Sequence, residues 1–160
     1  MNKSVTISLS VVVICEVFFI ILGRPMEEQG FNILDQEFAW NAKRANEIFN
    51  AWEPIKQYVF LFMLVDMIFP AALFALNYSL HSYVETGFET WKRISLFGMI
   101  ADYLENLLTF VMLFGIINDG IAFTLSLFAT VKFLAVIPAL LFGLFRAIKK
   151  TRLLGFEPRN

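Results

Sequence analysis

Residues 94–145 read ISLFGMIADYLENLLTFVMLFGIINDGIAFTLSLFATVKFLAVIPALLFGLF. Two apolar runs, 94–117 and 121–145, flank the triplet Asn118-Asp119-Gly120. Each run is long enough to cross a hydrocarbon core of ~30 Å at about 1.5 Å per helical residue. Backbone polar groups inside lipid must be satisfied within the segment, which requires helices. The three residues between the runs tolerate left-handed backbone angles, so a tight turn is expected there. Such a turn makes the two helices antiparallel neighbours.

Two further apolar runs lie upstream, 57–76 and 5–23. The expectation is an all-α membrane protein, an antiparallel bundle of four transmembrane helices, as a single domain over residues 1–160. Composition agrees: 58% of the chain is hydrophobic and 19 residues are Phe, more apolar surface than a soluble domain of this size can hide. The first run resembles a signal peptide, with Lys3 before it. Glu16 interrupts it, however, and Arg24-Pro25 stands where small residues would mark cleavage, so it reads as a retained membrane helix.

The segment from 24 to 56 is the long connection. Within it Leu34, Phe38, Ala42, Ala45, Phe49 and Trp52 recur at helical spacing, and Glu37, Lys43, Arg44 and Glu47 fill other positions. This predicts an amphipathic helix in the first extramembrane loop, lying on the membrane, capping the bundle or simply solvated. Trp40 and Trp52 favour the interface, and Pro54 ends the helix. Basic residues set the orientation. Arg146, Lys149, Lys150, Arg152 and Arg159 follow the last run, Lys92 and Arg93 precede the third, and Lys3 precedes the first. The positive-inside rule then places both termini in the cytoplasm, and the cell (inner) membrane is the expected location.

Every run carries an ionisable residue: Glu16, Asp66, Asp102 with Glu105, and Lys132. A charge at the bilayer centre costs at least ~2.5–3.5 kcal/mol, so such residues face the bundle interior and meet partners or water. In the third run Asp102, Glu105, Asn106 and Thr109 follow i, i+3, i+4, i+7 spacing and form one polar stripe. Asp66, Pro70, Leu73 and Asn77 share a face in the second. Lys132 shares one with Ala135, Ala139 and Gly143, small residues that let a neighbouring helix approach. Counting along the runs places Asp66, Glu105 and Lys132 within roughly 3 Å of the midplane, with Glu16 slightly outward and Asp102 about 5 Å toward the cytoplasm. Lys132 is expected opposite Glu105, Asp66 or both. One ammonium offsets one carboxylate, so the remaining acids need a proton, water, or a bound cation or donor. The candidate site is therefore Glu16, Asp66, Asp102, Glu105, Asn106 and Lys132. The alternative is that these groups only tie the helices together.

Other residues exclude whole classes. Cys15 is the only cysteine and His81 the only histidine, which rules out a disulfide framework, a cysteine-based metal site and a His-rich one; no metal or cofactor is expected. The net charge of -1 gives no reason to invoke nucleic acid. His81 is read as solvated, on a cytoplasmic connection. Pro70 and Pro138 should kink their helices and free carbonyl groups. Neither a phosphate-binding glycine loop nor a nucleophile elbow is present in the sequence.

The strings Asp66-Met-Ile-Phe-Pro70, Asp102-Tyr-Leu-Glu105-Asn106 and Ala129-Thr-Val-Lys132 resemble a group of small, uncharacterised four-helix membrane proteins of bacteria, across the second to fourth runs. A fainter resemblance is to the EXPERA fold of sterol isomerases and the sigma-2 receptor. That resemblance implies a helical first loop and an acid-lined pocket, with Asp66, followed by Phe-Pro, as the matching acid. The Ser-His-x-Pro string of that fold is missing from the first run.

Three functions follow as expectations. The first is a binding protein in the lipid bilayer whose polar cluster holds a small cationic or amphiphilic ligand, or protons and water. The second is an accessory or structural subunit of a larger membrane complex, or a homo-oligomer. The third, carrying least weight, is an EXPERA-like isomerase, because spacing assigns no acid/base pair.

Overall fold

Gly115 and Asn118 shape the turn between the two C-terminal helices. In the computed structural model these are α6 (Phe88–Leu113) and α7 (Asp119–Leu154). Gly115 takes a φ of +90°, and Ile116 N–H reaches back to Val111 O at 3.2 Å. Glycine adopts this conformation without a Cβ penalty, and the bond satisfies a terminal carbonyl of α6. Asn118 Oδ1 accepts from Ile121 N–H at 3.0 Å and caps α7. The left-handed turn expected at 118–120 thus lies upstream. Asn118 serves as a cap, and Asp119 and Gly120 already belong to α7.

The structure describes residues 3–84 and 88–154. Arg159, the side chain of Arg152 and residues 85–87 of the expected second connection lie outside the description. Among the described residues every element is helical. Ahead of α6 come α1 (Lys3–Glu28), α2 (Ile33–Glu37), α3 (Ala42–Trp52), a 3-10 turn (Glu53–Ile55), α4 (Lys56–Asp66) and α5 (Phe69–Val84). Four stretches, Lys3–Glu28, Ala42–Val84, Glu89–Leu113 and Asp119–Lys150, are long and apolar enough to cross a membrane. Their outward faces carry exposed Ile14, Ile20, Phe97, Leu134 and Phe145, an apolar surface that water would not cover favourably.

The expected helix over 57–76 is two helices, α4 and α5, interrupted at Met67 and Ile68. Pro70 accounts for the break. It lacks an N–H, and its ring clashes with the carbonyl four residues earlier, which is that of Asp66. Asn106 Nδ2 donates to this orphaned Asp66 carbonyl at 3.0 Å, so a neighbouring helix supplies the missing bond. α6 and α7 pack along their length, α5 packs on both, and α1 packs on α4 and α5.

Two apolar cores result. One joins Met26, Ile48, Trp52, Met63, Met112 and Leu125; the other joins Val5, Leu76 and Leu80. Between them along the helices lies a buried polar layer containing Asp66, Asp102, Glu105, Asn106, Thr109 and Lys132.

The expected single helix over 34–52 is α2 and α3, separated by residues 38–41. Asn32 and Asp35 form a capping box, with bonds of 2.9 and 3.1 Å, and Asn41 Oδ1 accepts from Arg44 N–H at 2.9 Å to start α3. Between the two, Trp40 has a φ of 58°. A left-handed conformation costs a non-glycine residue about 1–2 kcal/mol. Trp40 N–H donates to Ser126 Oγ at 3.0 Å, and its ring meets that of Phe123 at 5.9 Å, contacts that offset the strain. α3 buries Ala45, Ile48, Phe49 and Trp52 and leaves Lys43 and Glu47 exposed.

His81 departs from expectation. It is buried in α5, with Nε2 3.0 Å from Ala139 O and its ring stacked on Trp91 at 5.9 Å. α5 continues well past the expected end of its run, so His81 stays between α6 and α7. Gly143 of α7 accommodates it: a Cβ there would lie 3.4 Å from the imidazole ring.

Candidate functional site

Lys132 stands at the centre of the polar layer. Its ammonium lies 2.9 Å from Glu37 Oε1 and 3.2 Å from Asp102 Oδ1, and it also contacts Glu105 Oε2. All four side chains are buried. Two N–H groups of Lys132 donate to Glu37 and Asp102, and Glu105 adds a third negative neighbour. Asp102 and Glu105 lie one turn apart on α6, and the close α6–α7 packing presents both to Lys132. Small residues permit that packing: a Cβ on Gly98 would sit 2.6 Å from Val136 Cγ2.

Glu37 is the correction to the sequence reading, which placed it among the outward polar positions of a surface helix. The break after α2 turns it inward. Ala42 N–H donates to Asp119 Oδ1 at 2.7 Å, Trp40 N–H to Ser126 Oγ, and Lys132 to Glu37. The chain from Ala42 back to Glu37 therefore follows α7 from its first residue to Lys132, about 20 Å of helix. Gln36 is drawn in with it, completely buried, and its Nε2 donates to Thr109 Oγ1 at 3.1 Å. Thr109 in turn donates to Glu105 O at 3.2 Å. Gln36 also escaped the sequence reading. The signal for both was the pair of caps, Asn32 with Asp35 and then Asn41, which divides the segment into two helices.

Of the acids expected opposite Lys132, Glu105 meets it and Asp66 makes no ion pair among the described residues. Asp66 is buried beside a cavity of about 410 Å³, which also touches Glu16, Glu37, Asp102 and Lys132. Asn106 lies behind this surface, its amide holding the Asp66 carbonyl. Glu16 is exposed near the middle of α1, and its side chain makes no hydrogen bond or ion pair among the described residues. The rest of the lining is largely apolar, with Phe19, Phe62, Phe69, Leu73 and Val136 prominent. Phe19 packs on Phe62 at 4.7 Å and edge-on against Phe69 at 5.2 Å, a continuous aromatic wall.

The arrangement thus combines a closed ion cluster with an open, acid-bearing cavity beside it. No group of three or more His, Cys, Asp or Glu side chains among the described residues is arranged to hold a metal ion. Neither protein-family models, nor curated proteins, nor solved structures give a match to this chain.

Proposed function

We propose that this chain is a membrane-embedded binding protein that takes a small cationic or amphiphilic molecule into the cavity beside Asp66. The observation that carries the reading is the imbalance of charge around that space. Five acids, Glu16, Glu27, Glu37, Asp66 and Asp102, line it with Lys132 as the one base, and the ammonium of Lys132 is already engaged. Packing alone needs no such surplus, and an acid in a cavity is a ligand-site candidate on electrostatic grounds. The volume falls in the range of about 300–1,000 Å³ usual for small-molecule sites.

In this reading the four apolar stretches form an antiparallel bundle in the cell's inner membrane, with both termini cytoplasmic. Basic residues at Lys3, Lys92, Arg93, Arg146 and Lys149 support that orientation. The buried apolar face and exposed polar face of α3 support an amphipathic helix covering the outer end of the bundle.

The test is thermal unfolding of the purified protein in lipid nanodiscs against cationic, neutral and anionic amphiphiles. At least one class should stabilise the protein saturably, and Leu73→Trp, which fills the cavity, should abolish the effect. A protein that responds to none of them is not such a binder. Stability gained only from a second membrane protein would favour the subunit reading.

A further inference from the structure

Glu16 and Asp66 come from different helices, yet the packing places them together. Ser4 Oγ meets Ser79 Oγ at 2.8 Å, and Phe19 packs on Phe62 at 4.7 Å. These two contacts set a register between α1 and the α4–α5 pair in which Glu16 falls level with Asp66. Both side chains line the cavity. Phe19 stands one turn after Glu16 on α1, Phe69 opens α5 just past the break that follows Asp66, and these two rings touch. The two carboxyls therefore face one cavity that also carries an aromatic wall.

Neither of these carboxyls forms an ion pair among the described residues. Lys132 donates hydrogen bonds to Glu37 and Asp102 and is ion-paired with Glu105. The Glu16 side chain is exposed at mid-helix with no hydrogen-bonding partner among the described residues, in a stretch apolar enough to lie in lipid. A carboxyl in such a stretch needs partners, and the described residues supply none.

The mouth of the cavity indicates where such a partner enters. α1 supplies Glu16, Ile20 and Gly23 to the lining, and α7 supplies Lys132, Phe133 and Val136, so the space lies between these two helices. α1 packs on α4 and α5, whereas α7 packs on α6 and α5. Ile20 and Leu34, both lining the cavity, are exposed to the surroundings at 73% and 49%. The cavity lining thus reaches the exposed surface at α1 and at α2.

Resting on the ligand-binding reading above, we infer that the occupant is a single-chain amphiphile with a primary or secondary ammonium head. It enters from the lipid between α1 and α7 and places its N–H donors between Glu16 and Asp66. Its chain lies against Phe19, Phe62 and Phe69. An ammonium with N–H groups both neutralises and hydrogen-bonds the carboxyls, and charge-assisted bonds of this kind are the strong ones.

The test uses the full chain in phosphatidylcholine nanodiscs, with dodecylamine, dodecanol and dodecanoate compared at equal membrane mole fraction by thermal unfolding. Dodecylamine should reach half-saturation at a mole fraction at least tenfold below that of either comparison compound. Glu16→Gln and Asp66→Asn should each remove most of that preference. Glu16 is exposed, so Glu16→Gln keeps the test valid should Asp66→Asn fail to fold. Equal response to all three compounds would overturn the amine inference while leaving a ligand pocket in place. Response to none would overturn the pocket as well. A wild-type dimer that Glu16→Gln converts to monomer, by native mass spectrometry, would show that a second copy of the chain satisfies Glu16, and would likewise overturn the proposal.

Discussion

Glu37 Oε1 lies 2.9 Å from Lys132 Nζ across 95 residues of sequence, which fastens α2 to the middle of α7. The same ammonium holds Asp102 and Glu105. One lysine thus joins three helices, and losing it leaves several acids without their cation.

Lys132→Met should therefore destabilise the protein by about 3–5 kcal/mol, the usual cost of removing one partner of a buried pair. Adding Glu37→Gln or Glu105→Gln should recover part of that loss. Equilibrium unfolding in detergent of the single and double variants forms a thermodynamic cycle. Strictly additive losses for both acids would show that neither is coupled to Lys132.

The second prediction concerns the entry to α2. Asn32→Ala removes the side chain that accepts from Asp35 N–H at 3.1 Å, and a lost N-cap costs ~1 kcal/mol. Hydrogen exchange should quicken at Ile33–Glu37 and stay unchanged in the centre of α6. Uniform acceleration along the chain would show that α2 does not open on its own.

Packing between α6 and α7 supplies the third. The Cβ of Gly98→Ala would meet Val136 Cγ2 at 2.6 Å, so the substitution should cost about 1–3 kcal/mol by overpacking. Gly98→Ala combined with Val136→Ala should be more stable than Gly98→Ala alone. If Val136→Ala instead adds its own loss, the contact is not the origin of the strain.

Topology gives the fourth. Reporter fusions at Asn160 should signal from the cytoplasm, and fusions after Asn46, on the exposed side of α3, from the outside. An external signal at Asn160 would contradict four spans.

The helices themselves were legible because a 3.6-residue period and run length speak directly of a membrane crossing. The stripe of Asp102, Glu105, Asn106 and Thr109 was legible for the same reason, and the structure buries all four. Glu37 was not. Its neighbours Leu34, Phe38 and Ala42 fit one continuous helix, and only the Asn caps and the left-handed Trp40 reveal the break that points it inward. His81 was misread because the apolar run thins out before α5 does. Tertiary contacts with Ala139, Trp91 and Phe142 decide its position, and those are invisible in local composition.

The fastening of α2 to α7 also has a consequence for biosynthesis. Glu37 leaves the ribosome 95 residues before Lys132, a delay on the order of ten seconds at ~5–20 residues per second. Throughout that interval Glu37 lacks the ammonium of Lys132. Gln36 can meet Thr109 once α6 is made, whereas Glu37 can reach Lys132 only after α7 follows. Nascent chains arrested before Lys132 emerges should leave this loop accessible to protease, and chains released after it should not.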